Sequence, residues 1–82
     1  MGSAFWMKLS EVLLNKPCRV VELNCDESIL RRFLDIGMIP GAKIEKVLVS
    51  PFGGISAYFI MGSLIAIRDS DAKGVKVCYD EV

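Results

Sequence analysis

The segment RRFLDIGMIPGAKIEKV, residues 31–47, changes period halfway along. Its first half continues an apolar stripe of Ile29, Leu30, Phe33, Leu34 and Ile36, spaced as on one face of a helix. Asp26 or Asn24 is placed to cap that helix, and acidic residues occupy its first turn, where the helix dipole favours them. Gly37 stands where the chain must leave the helix. A left-handed residue there satisfies the last carbonyls, and glycine avoids the roughly 1–2 kcal/mol steric cost that other residues bear. Pro40-Gly41 then reads as the centre of a type II turn, because glycine accepts the positive φ of the second central position. Ile44, Val47 and Val49 beyond it do not keep one parity, which calls for a bulge or for partial cover on both faces of a strand.

Outward from this joint, KLSEVLLNKP places Ser10 as the cap of a helical turn from Glu11 to Leu14, ended by Asn15-Lys16-Pro17. The β-branched run Arg19–Leu23 reads as a strand. Downstream, ISAYFIM and SLIAIRD form a hairpin around Met61-Gly62-Ser63, and DSDAKG is a polar turn. In VKVCYD, Val75, Val77 and Tyr79 alternate inward against Lys76, Cys78 and Asp80. One inserted α-helix, a short N-terminal helical turn and about five short strands, mostly antiparallel by their short connections, predict a mostly β fold, a small antiparallel barrel. Residues 1–6 are expected to be a loosely ordered extension, with Phe5 and Trp6 able to dock on an apolar surface and Met7 available as an alternative start. Residues 7–82 form the domain.

The run from Val47 to Ile67 carries no charge and reaches the roughly 20 residues that a membrane-spanning helix needs. Ser50-Pro51, Gly53-Gly54 and Gly62-Ser63 punctuate it, so three short strands and two turns are expected in place of a membrane helix.

Composition narrows the function further. The chain has 82 residues, 52% of them hydrophobic and 24% charged, which is a folding composition for one domain. Ten basic residues balance ten acidic ones and are interleaved with them, so direct nucleic-acid binding, which draws its affinity from phosphate neutralisation, is not expected. There is no histidine, and the three cysteines Cys18, Cys25 and Cys78 lack metal-site spacing. They read as small hydrophobes in a reducing compartment. General acid–base catalysis near neutral pH has no visible constellation, SPFGGIS lacks the ending of a phosphate loop, and RDSDAKG lacks the closing glutamate of a calcium loop. No enzyme and no cofactor is expected.

The order KLSEV, then RRFLDIGMIPGAKIEKVLVSPFGG, then YFIMGSLIAIRDSDAKGVKV resembles the FeoA family, the small cytosolic companions of the ferrous-iron transporter FeoB. The most diagnostic residues are Arg32, Asp35, Gly37, Pro40 and Gly41, supported by Pro51, Gly53 and the run from Gly62 to Arg68. The resemblance implies an SH3-like barrel acting as a non-enzymatic, cytoplasmic accessory of iron uptake that contacts the transporter's cytosolic region.

On that reading the contact residues are Leu34, Met38 and Ile39, with Ile36 beside them and Arg31 and Arg32 as a polar rim. Met38 and Ile39 are the better candidates, since apolar loop residues are less easily absorbed by a core. Asp35, Gly37, Pro40, Gly41 and Gly62 are structural. Two alternatives stand: a peptide-binding module unrelated to iron, with Phe52, Tyr58, Phe59 and Tyr79 lining its groove, or a direct transition-metal binder using Cys18, Cys25 and carboxylates.

Overall fold

The computed structural model describes residues 6–80. Six strands form one antiparallel sheet: β1 (Met7–Lys8), β2 (Cys18–Leu23), β3 (Lys43–Val49), β4 (Ile55–Ile60), β5 (Ser63–Arg68) and β6 (Val75–Tyr79). Their order across the sheet is β1-β6-β2-β3-β4-β5, so the ladder does not close on itself and β1 and β5 are its edges. Helix α1 (Glu27–Asp35) is inserted between β2 and β3, and Asp26 occupies its N-cap position without a side-chain cap bond. The uncharged run from Val47 to Ile67 is strand, turn, strand, turn, strand. Among the described residues no helix is long and apolar enough to cross a membrane.

The core is built from alternate residues of each strand: Val20 on β2, Ile44 on β3, Tyr58 and Ile60 on β4, Ile67 on β5, Val75 and Val77 on β6. From the connections, Leu9, Val12, Phe33, Met38 and Ala72 close over it. The lost parity of β3 has its cause in a register shift between Lys46 and Leu48, where Val47 is the extra residue of a bulge. A second shift between Val20 and Glu22 turns Val21 outward.

Two local readings change, and one buried side chain had no signal in the sequence. The N-terminal turn is a 3-10 helix over Leu9–Glu11, begun by Lys8, so Ser10 is inside it and caps nothing. The segment expected as a polar turn contains α2 (Asp69–Ala72), whose Ala72 is buried. And Lys46, on the inward parity of β3, is only 6% exposed. Its ammonium donates to the Ser10 carbonyl at 3.0 Å and lies 5.8 Å from the centre of the Tyr58 ring. The Tyr58 hydroxyl donates to the Leu9 carbonyl at 3.4 Å, so both side chains tie the 3-10 turn to the sheet. A buried amine is tolerable here because it is hydrogen-bonded and faces an aromatic ring. The expected extension lies outside the described residues except Trp6, whose ring carries Lys76 Nζ at 4.3 Å from its centre.

The joint between α1 and β3 is a Schellman end. Gly37 has φ +92°, its N–H donates to the Leu34 carbonyl at 3.1 Å, and the Met38 N–H donates to the Phe33 carbonyl at 2.9 Å. Pro40-Gly41 forms the expected turn: Gly41 has φ +92° and the Ala42 N–H donates back to the Ile39 carbonyl at 2.9 Å. That turn is stitched to β2, with Gly41 N–H donating to the Val20 carbonyl at 2.7 Å and the Arg19 guanidinium to the Gly41 carbonyl at 2.9 Å. A Cβ at Gly37 would also come within 2.5 Å of Met61 Cγ, at the tip of the β4–β5 hairpin. Gly37→Val is therefore expected to cost roughly 2–3 kcal/mol, mostly from a β-branched residue held at positive φ, since the exposed Met61 side chain can move. Urea denaturation measures it. Unchanged stability would mean that the helix ends in another way.

Candidate partner-binding surface

Met38 is not on this surface. It is fully buried, and the Schellman end explains why: the second residue past the C-cap Ile36 folds back against the last turn, bringing Met38 over the buried Phe33. The expectation that Met38 is presented to a partner is corrected accordingly. Leu34, 44% exposed, and Ile39, 50% exposed, do face outward. Ile36 is half-buried and packs against the core. Leu34 drops out of the buried stripe because the helix rests on Ile29, Phe33 and Ile36, and Leu34 lies to one side of that line.

Sequence reasoning missed Met61. Met61 and Gly62 are the two central residues of a tight hairpin turn, at φ +51° and +80°, closing the Ile60–Ser63 pair. Such primed turns favour Asn or Gly at the first position, because a side chain at positive φ is strained. A methionine there is the signal that sequence inspection could have used. Met61 is 71% exposed beside Gly37. Leu34, Met61 and Ile39 thus surround the helix exit as three exposed apolar side chains on a backbone fixed by two left-handed glycines.

Arg31 and Arg32 border this cluster on α1. Arg31 reaches Glu27 at 3.8 Å with both groups largely in water, an i,i+4 pair worth little and easily exchanged for a partner's carboxylate. Arg32 lines a groove of about 190 Å³ between α1 and β5, with Phe33, Ile36, Ile65, Ala66 and Ile67. Asp35 is exposed at the helix end, and nothing in the structure explains an acid at that position.

The aromatics do not come together as one groove. Tyr58 is buried, Phe52 stands almost wholly in solvent at the β3–β4 turn, and Phe59 lies half-exposed on the outer sheet face. Tyr79 is engaged elsewhere, accepting from the Leu13 N–H at 3.2 Å and carrying Lys16 Nζ 4.5 Å from its ring centre. Nor do the cysteines assemble a metal centre: among the described residues no three Cys, Asp or Glu side chains lie close enough to hold an ion. Burial pushes the Cys18 thiol up to about 11, assisted by Cys78 and nearby carboxylates, and burial also raises Cys25.

A small antiparallel β domain of the SH3-like kind is thus defined, with an inserted helix whose exit presents an apolar cluster and an arginine rim. The chain belongs to the FeoA family: the FeoA domain model matches residues 7–78. Among solved structures, the FeoA protein from Chlorobium tepidum is 29% identical, with a TM-score of 0.84 over 92% of this chain and 74% of that one. Stenotrophomonas maltophilia FeoA, an SH3 domain protein solved with zinc, is 27% identical, with a TM-score of 0.75 over 90% and 89% of the two chains. A manganese-dependent transcriptional repressor, 16% identical, shares the fold at a TM-score of 0.85 over 96% of this chain and 44% of its own. No curated protein sequence matches.

Proposed function

We propose that the chain is a non-enzymatic accessory protein of ferrous iron uptake, acting by contact with the cytosolic side of a FeoB-type transporter. The observation that carries this reading is the exposed Leu34–Ile39–Met61 cluster at the helix exit, rimmed by Arg31 and Arg32. An apolar centre with arginines at its edge is the composition of a protein-binding patch. Two left-handed glycines and a strained Met61 fix the backbone beneath it, so little ordering cost falls on association.

Membership of the FeoA family supplies the direction of the reading. The Stenotrophomonas maltophilia relative is described as a candidate ferrous iron transport activating factor, and that role extends to this chain by family. Calorimetric titration of the chain into the isolated cytosolic region of a FeoB-type transporter tests it. A saturable complex is expected; absence of binding would overturn the reading.

A further inference from the structure

The outer face of β3, β4 and β5 carries an apolar field that the core does not use. Side chains alternate across a sheet, and Ser56, Tyr58 and Ile60 are buried on the inner face, so Ile55, Ala57 and Phe59 point out. The register sets their neighbours: Phe59 lies between Glu45 and Leu64, Ala57 between Leu48 and Ala66, and Ile55 beside Arg68. Leu48 and Leu64 are each 63% exposed and Phe59 is 48% exposed, because the connections pack on the inner face, where Leu9, Phe33 and Ala72 join the core. Apolar side chains in three adjacent rows form one continuous field, unlike surface hydrophobics scattered singly.

Its charges sit at two opposite corners. Glu45 stands on β3 at the Phe59 end and Arg68 on β5 at the Ile55 end, and neither joins an ion pair among the described residues. Their neighbours in the chain are committed elsewhere. Lys43, the next outward residue of β3, reaches Asp80 at 3.9 Å, and Asp69 keeps one carboxylate oxygen buried. A field with one free acid and one free base at opposite corners is complementary to itself. Rotation by 180° about an axis in the plane of the interface, perpendicular to the line from Glu45 to Arg68, sets each Glu45 against the partner's Arg68. The same rotation brings the bulky Leu48 and Phe59 of one copy against the small Ala57 and Ala66 of the other. Neutral as a whole, the field favours neither an anionic nor a cationic surface, and its charge pattern selects a second copy of this chain. Three strands about 4.8 Å apart, each rising about 3.4 Å per residue, give a field of roughly 15 by 20 Å, the size of a weak, reversible interface and not of an obligate one.

We infer that the chain self-associates as a two-fold dimer through the outer face of β3, β4 and β5, with Leu48 and Phe59 packed across it and two Glu45–Arg68 ion pairs at its corners. Helix α1 packs on the other face of the sheet, so this dimer and transporter binding through the helix exit are independent.

Sedimentation equilibrium of the chain alone, from micromolar to millimolar protein, reads the association. The mass is expected to rise from that of one chain toward that of two and no further, since a two-fold contact closes on itself. Glu45→Arg sets arginine against Arg68, and Arg68→Glu sets glutamate against Glu45, so each variant alone should dimerise at least about tenfold more weakly. An equimolar mixture of the two should regain the parent's affinity, because every arginine then faces a glutamate. Leu48→Gln with Phe59→Gln, both outside the core, should also abolish association while the amide spectrum stays that of the folded domain. A chain monomeric at millimolar protein, charge variants that dimerise as the parent does, or a mixture that fails to associate would overturn the inference. So would a dimer that protects the amides along the free edge of β5 and is indifferent to Leu48 and Phe59, since that dimer would form by strand pairing.

Discussion

Met38→Asp is expected to unfold the domain, whereas Ile39→Asp, one residue further on, should leave stability within about 0.5–1 kcal/mol of the parent. Met38 has no exposure at all and sits between Phe33 and the sheet, so the substitution removes a buried thioether side chain and inserts a carboxyl group without a partner. Truncating a buried methionine costs roughly 2–5 kcal/mol, and burying an unpaired polar group adds roughly 1–3 kcal/mol. A domain of this size has only about 4–12 kcal/mol in total. Circular dichroism with urea titration distinguishes the cases. Two folded variants of equal stability would contradict the Schellman end and the placement of Met38.

The second large effect is alkaline. Burial, with Asp69 adding to it, raises the Tyr58 hydroxyl from an ordinary 10.0 to about 12, and burial raises the Cys18 thiol from 9.0 to about 11. In both, the folded protein holds a proton that the unfolded chain releases earlier. The stabilisation is complete below pH 9 and is lost as pH rises from about 9 to about 12, the range between unfolded and folded values. At roughly 1.4 kcal/mol per pKa unit, each group contributes on the order of 2–3 kcal/mol, with the two partly coupled. Urea midpoints of the reduced protein should therefore fall steeply between pH 9 and 12. Cys18→Val and Tyr58→Phe should each flatten that fall, the first at its lower end. A midpoint independent of pH across this window would mean that neither group is desolvated in the fold.

The parts of this molecule legible in its sequence are those fixed by local backbone chemistry. Gly37 and Pro40-Gly41 require positive φ at known places, and both turns are as read. The broken parity of β3 called for a bulge or for cover on both faces, because side-chain alternation is strict, and the register shift at Val47 makes it a bulge. What was not legible depends on partners remote in sequence. Lys46 points inward because Ser10 and Tyr58, far along the chain, supply an acceptor and a ring. The two-residue β1 exists only through its pairing with β6. Met38 falls between these cases. Loop position suggested exposure, but a hydrophobic residue two past the helix C-cap and five past an aromatic in the last turn is the signature of a Schellman contact.

The candidate site was therefore half visible. Leu34, Ile39, Arg31 and Arg32, named from the sequence, are exposed, while Met61 joins them only because the β4–β5 hairpin folds its tip over Gly37. The open β5 edge was invisible for the same reason: strand order, and hence which strand lacks a neighbour, is a global property.

Transporter binding, as proposed, runs through the helix-exit patch. The decisive measurement is the affinity of the parent chain and of a Leu34→Gln/Ile39→Gln double variant for the transporter's cytosolic region, with urea stability measured alongside. Each side chain leaves about half its surface to a partner, worth roughly 1 kcal/mol at about 25 cal/mol per Å². About 1.4 kcal/mol is tenfold, so the double variant should bind at least about tenfold more weakly at unchanged stability. Equal affinity for the two proteins would place the contact elsewhere on the domain and contradict binding through the helix exit.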